Sequence, residues 1–407
     1  MKSVIIVFFV ITTSFVGRSW SIKDVNPADG LQYRPMLRAA VARLRNFIDP
    51  RKDDTSFNIN MKRGKIQKQF NVSEPFFCDL SIPWRSRKVP TSVHKLRPGD
   101  IDVIAAMGDS LTTGNGAMAT NILQILFTNK KMSWSGGGEA TWRKFLTLPN
   151  ILKEFNPNLY GYSHQKGPEL NVAVAATWSR DLPFMAQVLV NRMKNETKID
   201  LHKHWKLITL LVGANDFCSD VCHYENPEVI AKLHEKNLLN ALRILRDNLP
   251  RTMVNVISTP DVTISLKYTK IPLECIPMQH FFCSCFFSTR FGKNRKKYKK
   301  VIHQWHAVEK DVTDRDEFHN LTDFTVNYNP FTINSDFQSN DDGTTDYRYL
   351  SDDCFHFSQR GYARAVNAYW NNMLEPYGRK STTWKKEFTE FKCPTKEMPY
   401  LRTKGNS

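Results

Sequence analysis

Residues Ile101 to Gly116 read Ile-Asp-Val-Ile-Ala-Ala-Met-Gly-Asp-Ser-Leu-Thr-Thr-Gly-Asn-Gly. The apolar run Val103 to Met107 ends at Gly108-Asp109-Ser110 and passes into a polar segment punctuated by glycine. A short apolar run ending at glycine has the pattern of a strand buried on both faces of a parallel sheet. Ligands of open parallel sheets bind beyond the carboxyl ends of the strands. This reading puts the Ser110 hydroxyl at such a crevice, on the first turn after the strand, with a short helix expected to follow. The same tripeptide also suits an ordinary helix N-cap. What separates the two readings lies further along the chain.

Four more apolar runs have strand length: Leu170 to Ala175, Leu207 to Val212, Met253 to Ile257 and Phe324 to Tyr328. Helical stretches run from Leu148 to Phe155, Arg180 to Lys194, Pro227 to Asn248 and Ser358 to Leu374. In the third of these Leu233, Leu238, Leu242 and Leu245 recur at helical spacing. This order builds a parallel sheet covered on both faces. The ends of its first three strands carry Ser110, the stretch Asn171 to Thr177, and Asn215, which can converge on one crevice. Ser133 to Gly138 (Ser-Trp-Ser-Gly-Gly-Gly) reads as a loop close to it.

The 407 residues suit one α/β domain with insertions. Residues 1–19 carry one lysine, a short apolar core and then small residues, the pattern of a secretory signal peptide. Residues 20–95 read as an extension over the core, with an amphipathic helix at 35–47, 96–380 as the core domain, and 381–407 as a polar tail. No later stretch is long enough to span a membrane, and the polar tail has no anchor signal. The expectation is an exported protein. Sequons at Asn71, Asn195 and Asn320 fit that compartment.

Eight cysteines point the same way. Cys218 and Cys222 are spaced to close a small loop, and Cys275 is placed to pair with Cys283 or Cys285. Cys78, Cys354 and Cys393 are left with the remaining one. The spacing of Cys275, Cys283 and Cys285 fits no common zinc site, so no metal is expected.

The net charge of +17 implies attraction to anionic surfaces. The densest run, Lys293 to Lys300, stands beside no nucleic-acid motif and reads as a solvated helix face. Phe281 to Phe287 is read two ways: a disulfide-stapled core segment, or aromatic anchors for an anionic lipid surface.

A serine needs a base to take its proton. Asp352-Asp353-Cys354-Phe355-His356 supplies a candidate just before the last helix. An aspartate three residues ahead of a histidine can hold its imidazole in one tautomer and stabilise the imidazolium. Asp353 fills that place, with Asp352 the competing carboxylate. Asn215, at the end of a buried strand, can offer its side-chain amide to a developing oxyanion.

In this order Gly108-Asp109-Ser110-Leu111, the second block at 171–176, Gly213-Ala214-Asn215-Asp216, and Asp353-x-x-His356 resemble the GDSL, or SGNH, hydrolases. The flanking stretches Pro90 to Pro98, Leu148 to Leu152, Trp205 to Leu210, Asp353 to Ser358 and Trp370 to Pro376 are similar to the membrane-associated phospholipase B branch. The likeness covers roughly residues 77–400. It implies a flavodoxin-like, three-layer fold with five parallel strands, and metal- and cofactor-independent hydrolysis of phospholipid and lysophospholipid esters. Carried over, Ser110 is the nucleophile, His356 the base and acid, and Asp353 its orienter. Asn215 and the backbone N–H groups of Ser110 and Ala176 form the oxyanion hole, with Gly108, Asp109 and Gly213 in support. The branch is often tethered to membranes; this sequence shows no tether. It also has Ala176 where the second block usually has glycine. Because Thr177 follows, an ordinary negative φ is expected at Ala176.

Overall fold

Ile101–Gly108 forms β1, and Trp205–Leu211, Thr252–Ile257 and Phe324–Asn329 form β2, β3 and β4. All pair in parallel in the order β1-β2-β3-β4, with Met107 opposite Leu210, Val254 opposite Ile208 and Val326 opposite Val254. The computed structural model describes residues 53–164, 170–335, 340 and 342–407. The expected leader at 1–19 and the helix at 35–47 lie outside those residues.

Among the described residues the sheet has four continuous strands rather than the five expected. The second expected strand instead lies extended along the free edge of β1. There Ala106 N–H donates to Leu170 O (3.2 Å), Val172 N–H to Ala106 O (2.9 Å) and Val174 N–H to Gly108 O (3.0 Å). The Asn171 Oδ1 takes the N–H of Ala173 (3.1 Å), which this edge segment does not give to β1, and its Nδ2 donates to Thr112 O (2.9 Å). With this segment counted, the spatial order is 2-1-3-4-5, the flavodoxin-like arrangement, whose switch point lies between β1 and β2.

Seven helices of eight or more residues accompany the sheet among the described residues: α1 (Asp53–Lys62), α2 (Leu148–Phe155), α3 (Leu182–Asn195), α4 (Val229–Asn248), α5 (Cys275–Phe282), α6 (Arg295–Thr313) and α7 (Gln359–Leu374). Thr147 and Ser358 cap α2 and α7 by accepting the N–H groups of Asn150 and Gly361. Successive strand residues point to opposite faces, and the core divides accordingly. Val103, Ala105 and Met107 pack with α3 and α4, whereas Ile104 packs with α2 and α7, joined by Ile101 because the register shifts between Ile101 and Val103. No helix among the described residues is long and apolar enough to cross a membrane. In α6 the basic run is the solvated face expected, with Lys296, Lys297, Lys299 and Lys300 exposed around a buried Tyr298.

Two local expectations fail. No helix follows Ser110; residues 109–118 wind through successive turns, with Thr112 and Thr113 N–H groups both bonded to Asp109 O (3.1 and 3.0 Å). The cysteine pairing also differs: Cys78–Cys393, Cys218–Cys283, Cys222–Cys285 and Cys275–Cys354. Cys218 and Cys222 sit a helical turn apart in the winding that follows Asn215, so both face the 283–285 segment instead of each other. All eight cysteines are thereby oxidised, and none offers a thiolate to a metal.

Candidate active site

At the carboxyl end of β1 the chain must turn sharply away from the sheet. Gly108 does this at φ 154°, where a Cβ would collide with Leu211 O and the Thr112 hydroxyl. Gly213, at φ 138° after β2, would likewise drive a Cβ into Thr259. Only glycine fits these two exits, and they bring Ser110 and Asn215 to neighbouring strand ends.

Ser110 Oγ lies 2.8 Å from His356 Nε2, and His356 Nδ1 lies 2.5 Å from Asp353 Oδ2. Asp353 is fully buried and its other oxygen accepts the N–H groups of Phe355 (3.1 Å) and His356 (3.0 Å). Burial pushes its pKa up, but the neighbouring His356 and these N–H donors outweigh burial and hold it below the ordinary carboxylate value. Asp353 is therefore ionised at neutral pH and fixes Nδ1 as the protonated nitrogen. That leaves the Nε2 lone pair facing the serine hydroxyl.

Asp352 takes no part in this relay. Its carboxylate pairs with Lys65 and with Arg63 Nη1 (3.1 Å), just beyond α1. The loop is held elsewhere too: Ser351 N–H donates to His356 O (2.8 Å) and Ser351 Oγ to Gly116 O (3.0 Å). Cys354, between the two acidic and basic partners, sits at φ 52° and is bonded to Cys275 at the start of α5. At the other end of α5 the Phe282 ring stands edge-on to His356, with centroids 5.3 Å apart, and stacks on Phe355 at 5.8 Å. Sequence reading singled out neither Cys354 nor Phe282 as a support of the histidine; the cysteine spacing was the one signal present.

Asn215 Nδ2 donates one hydrogen to Thr177 O (2.9 Å), leaving the second amide hydrogen for another acceptor. The next residue, Asp216, receives Ser179 N–H on both carboxylate oxygens (3.1 Å each). These two residues bind the 176–179 turn to the end of β2. Burial, with Asp220 nearby, raises the Asp216 pKa well above its usual value despite the Ser179 bond. Asp109 is fully buried, and that burial lifts its pKa to about 6 even though Leu111 N–H bonds to it at 2.9 Å. Its role is to shape the turn that carries Ser110.

Ala176 overturns an expectation: it adopts φ 59°, in the left-handed region, and is exposed. The following Thr177 does not prevent this, because its own hydroxyl bonds Val174 O (2.6 Å) and closes the turn across Ala176. The strain falls on the alanine.

Asn71, Asn195 and Asn320 are all exposed. Asn195 ends α3 and Asn320 precedes β4, so both lie toward the amino-terminal ends of the strands.

A hydroxyl, an imidazole and a carboxylate in relay beyond the carboxyl edge of a parallel sheet are the arrangement that serine hydrolases of the α/β class use. The GDSL-like Lipase/Acylhydrolase family model matches residues 104–369, and the chain belongs to that family. It is 41% identical over 350 residues to "Phospholipase B1, membrane-associated" of Homo sapiens, and 38% identical over 344 residues to the protein of that name from Rattus norvegicus. Each alignment covers 83% of this chain and 23% of the relative, so the chain spans about a quarter of the length of these curated relatives. A solved chain from Streptococcus pneumonia aligns over 81% of this chain and 95% of its own, at 13% identity and a TM-score of 0.32.

Proposed function

We propose that this chain is a phospholipase B-like serine esterase that removes acyl groups from phospholipids and lysophospholipids. The observation that carries the reading is the unbroken relay from Ser110 through His356 to a buried, ionised Asp353. Ser110 attacks the ester carbonyl as His356 Nε2 takes its proton, and Asp353 stabilises the imidazolium. The tetrahedral oxyanion is met by the N–H groups of Ser110 and Ala176 and by the Asn215 amide. His356 returns the proton to the departing glycerol oxygen, then activates the water that releases the fatty acid. No step calls for a metal or cofactor. The name of the human and rat relatives supports phospholipid as the substrate class.

The reading extends to location. Four disulfides and three exposed sequons support an exported protein working outside the cytosol. On and beside α5, Leu273 (83% exposed), Ile276 (43%) and Phe281 (48%) form apolar points of contact. Phe286 and Cys285 are buried, so the 281–287 stretch divides between core and surface. With the basic residues nearby in sequence, this face suits peripheral contact with anionic lipid.

Ser110→Ala tests the central claim on micellar lysophospholipid with the purified, folded protein. Turnover should fall by ~10³-fold or more. Retention of more than a few per cent would remove Ser110 as nucleophile.

A further inference from the structure

We infer that Ser179, His234 and Glu309 form a second, buried relay that holds the proposed oxyanion donors in place, with His234 as a positioning residue. The inference rests on the esterase reading above. Ser179 lies three residues beyond Ala176 and is pinned from two different elements. Its N–H donates to both oxygens of Asp216 (3.1 Å each), on the winding that follows Asn215. Its Oγ lies 2.7 Å from His234 Nδ1, on α4. Ser179, His234 and Glu309 are exposed by 3%, 1% and 1%, so none of them can meet a substrate.

The direction of the hydrogens follows from the far end of the chain of contacts. Glu309, on α6, accepts at Oε1 the N–H groups of Trp305 (2.9 Å) and Thr259 (3.2 Å), so that oxygen is an acceptor. His234 Nε2 faces it at 3.9 Å and makes no hydrogen bond among the described residues. Burial pushes the His234 pKa down to about 3, so the imidazole is neutral and carries one hydrogen. A lone pair aimed at an acceptor is repelled, which places that hydrogen on Nε2. Nδ1 is then bare and accepts the Ser179 hydroxyl. The ring is held in this plane because it lies flat on Trp305, with centroids 3.7 Å and planes 7° apart. These residues repeat the chemistry of Ser110, His356 and Asp353 with the two ring nitrogens exchanged. In a sealed interior, such a relay can only hold its hydroxyl in place.

The turn needs holding. Ala176 stands at φ 59°, where an alanine is strained, and its peptide relaxes unless the residues after it are fixed. Asn215 Nδ2 fixes Thr177 O at 2.9 Å, and Ser179 is the next anchor. Losing the Ser179 hydroxyl bond loosens both proposed donors, because Asn215 and Asp216 grip the same turn.

The experiment measures kcat on p-nitrophenyl butyrate per active site, counted with a fluorophosphonate that labels Ser110. Ser179→Ala keeps the N–H bond to Asp216 and removes only the hydroxyl. It should lower kcat about tenfold with KM within about twofold, short of the ~10²–10³ expected for outright loss of a donor. Ser179→Thr keeps the hydroxyl and should recover most of that loss. His234→Leu should cost a similar factor alone and nothing further in Ser179→Ala protein, since the two share one bond. Unchanged kcat per labelled site in Ser179→Ala, a Ser179→Thr protein as slow as Ser179→Ala, or additive losses would overturn the second relay and leave the esterase reading standing. A wild type that neither turns over esters nor takes the label would overturn both.

Discussion

At the scale of single residues, two neighbouring aspartates illustrate how placement decides role. Asp353 and Asp352 differ by one position, yet one is sealed against His356 and the other is neutralised by Lys65 and Arg63. Asp353→Asn should lower kcat by ~10³-fold or more, in line with the loss of about 10⁴ when the equivalent carboxylate of a serine protease is replaced. Asp352→Asn should cost little in kcat and show itself in thermal stability. Steady-state kinetics on one ester decides this, and the reverse ranking would mean the wrong carboxylate has been assigned. Ala176 is the second case. A Cβ at positive φ costs roughly 1–2 kcal/mol, while the N–H proposed to face the oxyanion is the same in alanine and glycine. Ala176→Gly should therefore gain ~1 kcal/mol in denaturant unfolding and change kcat/KM by less than about tenfold. A hundredfold gain in activity would show instead that the methyl group obstructs the oxyanion hole.

Among the elements, the 351–356 loop depends most on covalent support. It has a non-glycine residue at positive φ in its middle, and the Cys275–Cys354 bond holds it there. Removing that bond with Cys275→Ser and Cys354→Ser together should lower kcat at least tenfold, because Asp353 and His356 flank the released residue. Removing Cys78–Cys393, which spans 315 residues rather than 79, should cost about 1 kcal/mol more stability by loop entropy. It should nevertheless leave the kcat of folded protein nearly intact. Equal kinetic effects from the two removals would refute a positioning role for the first. Strands β1 to β4 and helices α2, α3, α4 and α7 were legible in the sequence, since hydrophobic period and capping residues are local signals; α1 and α5, and most of α6, were not. Ser110, His356 and Asp353 could be chosen because a family pattern fixes their order. The cysteine partners could not, as Cys354 finds Cys275 across 79 residues and no local rule couples them. Nor could the turn at Ala176, where the Thr177 hydroxyl bond and the tie from Asn215 outvote the alanine's own preference. The second strand was half legible: its apolar run does lie along the edge of β1, with Val172 and Val174 bonded to it, but it does not make a continuous strand.

For the molecule as a whole, the proposed lipid contact would draw on a charge of +17 and on the exposed apolar residues around α5 together. Binding to liposomes should strengthen with anionic lipid content and weaken with salt, since screening at 0.15 M ionic strength acts over about 8 Å. Phe281→Ser with Ile276→Ser should weaken what salt leaves. Binding indifferent to salt, lipid charge and these substitutions would exclude the face from the contact. Asn195 and Asn320, at the amino-terminal ends of the strands, bear on the same encounter. Sugar chains there would make that pole of the molecule bulky and water-loving. The opposite pole, where Ser110 opens, would carry neither of these two chains. A particle so built is weighted like a float: drifting up to a lipid layer, it can settle closely in one attitude, mouth first.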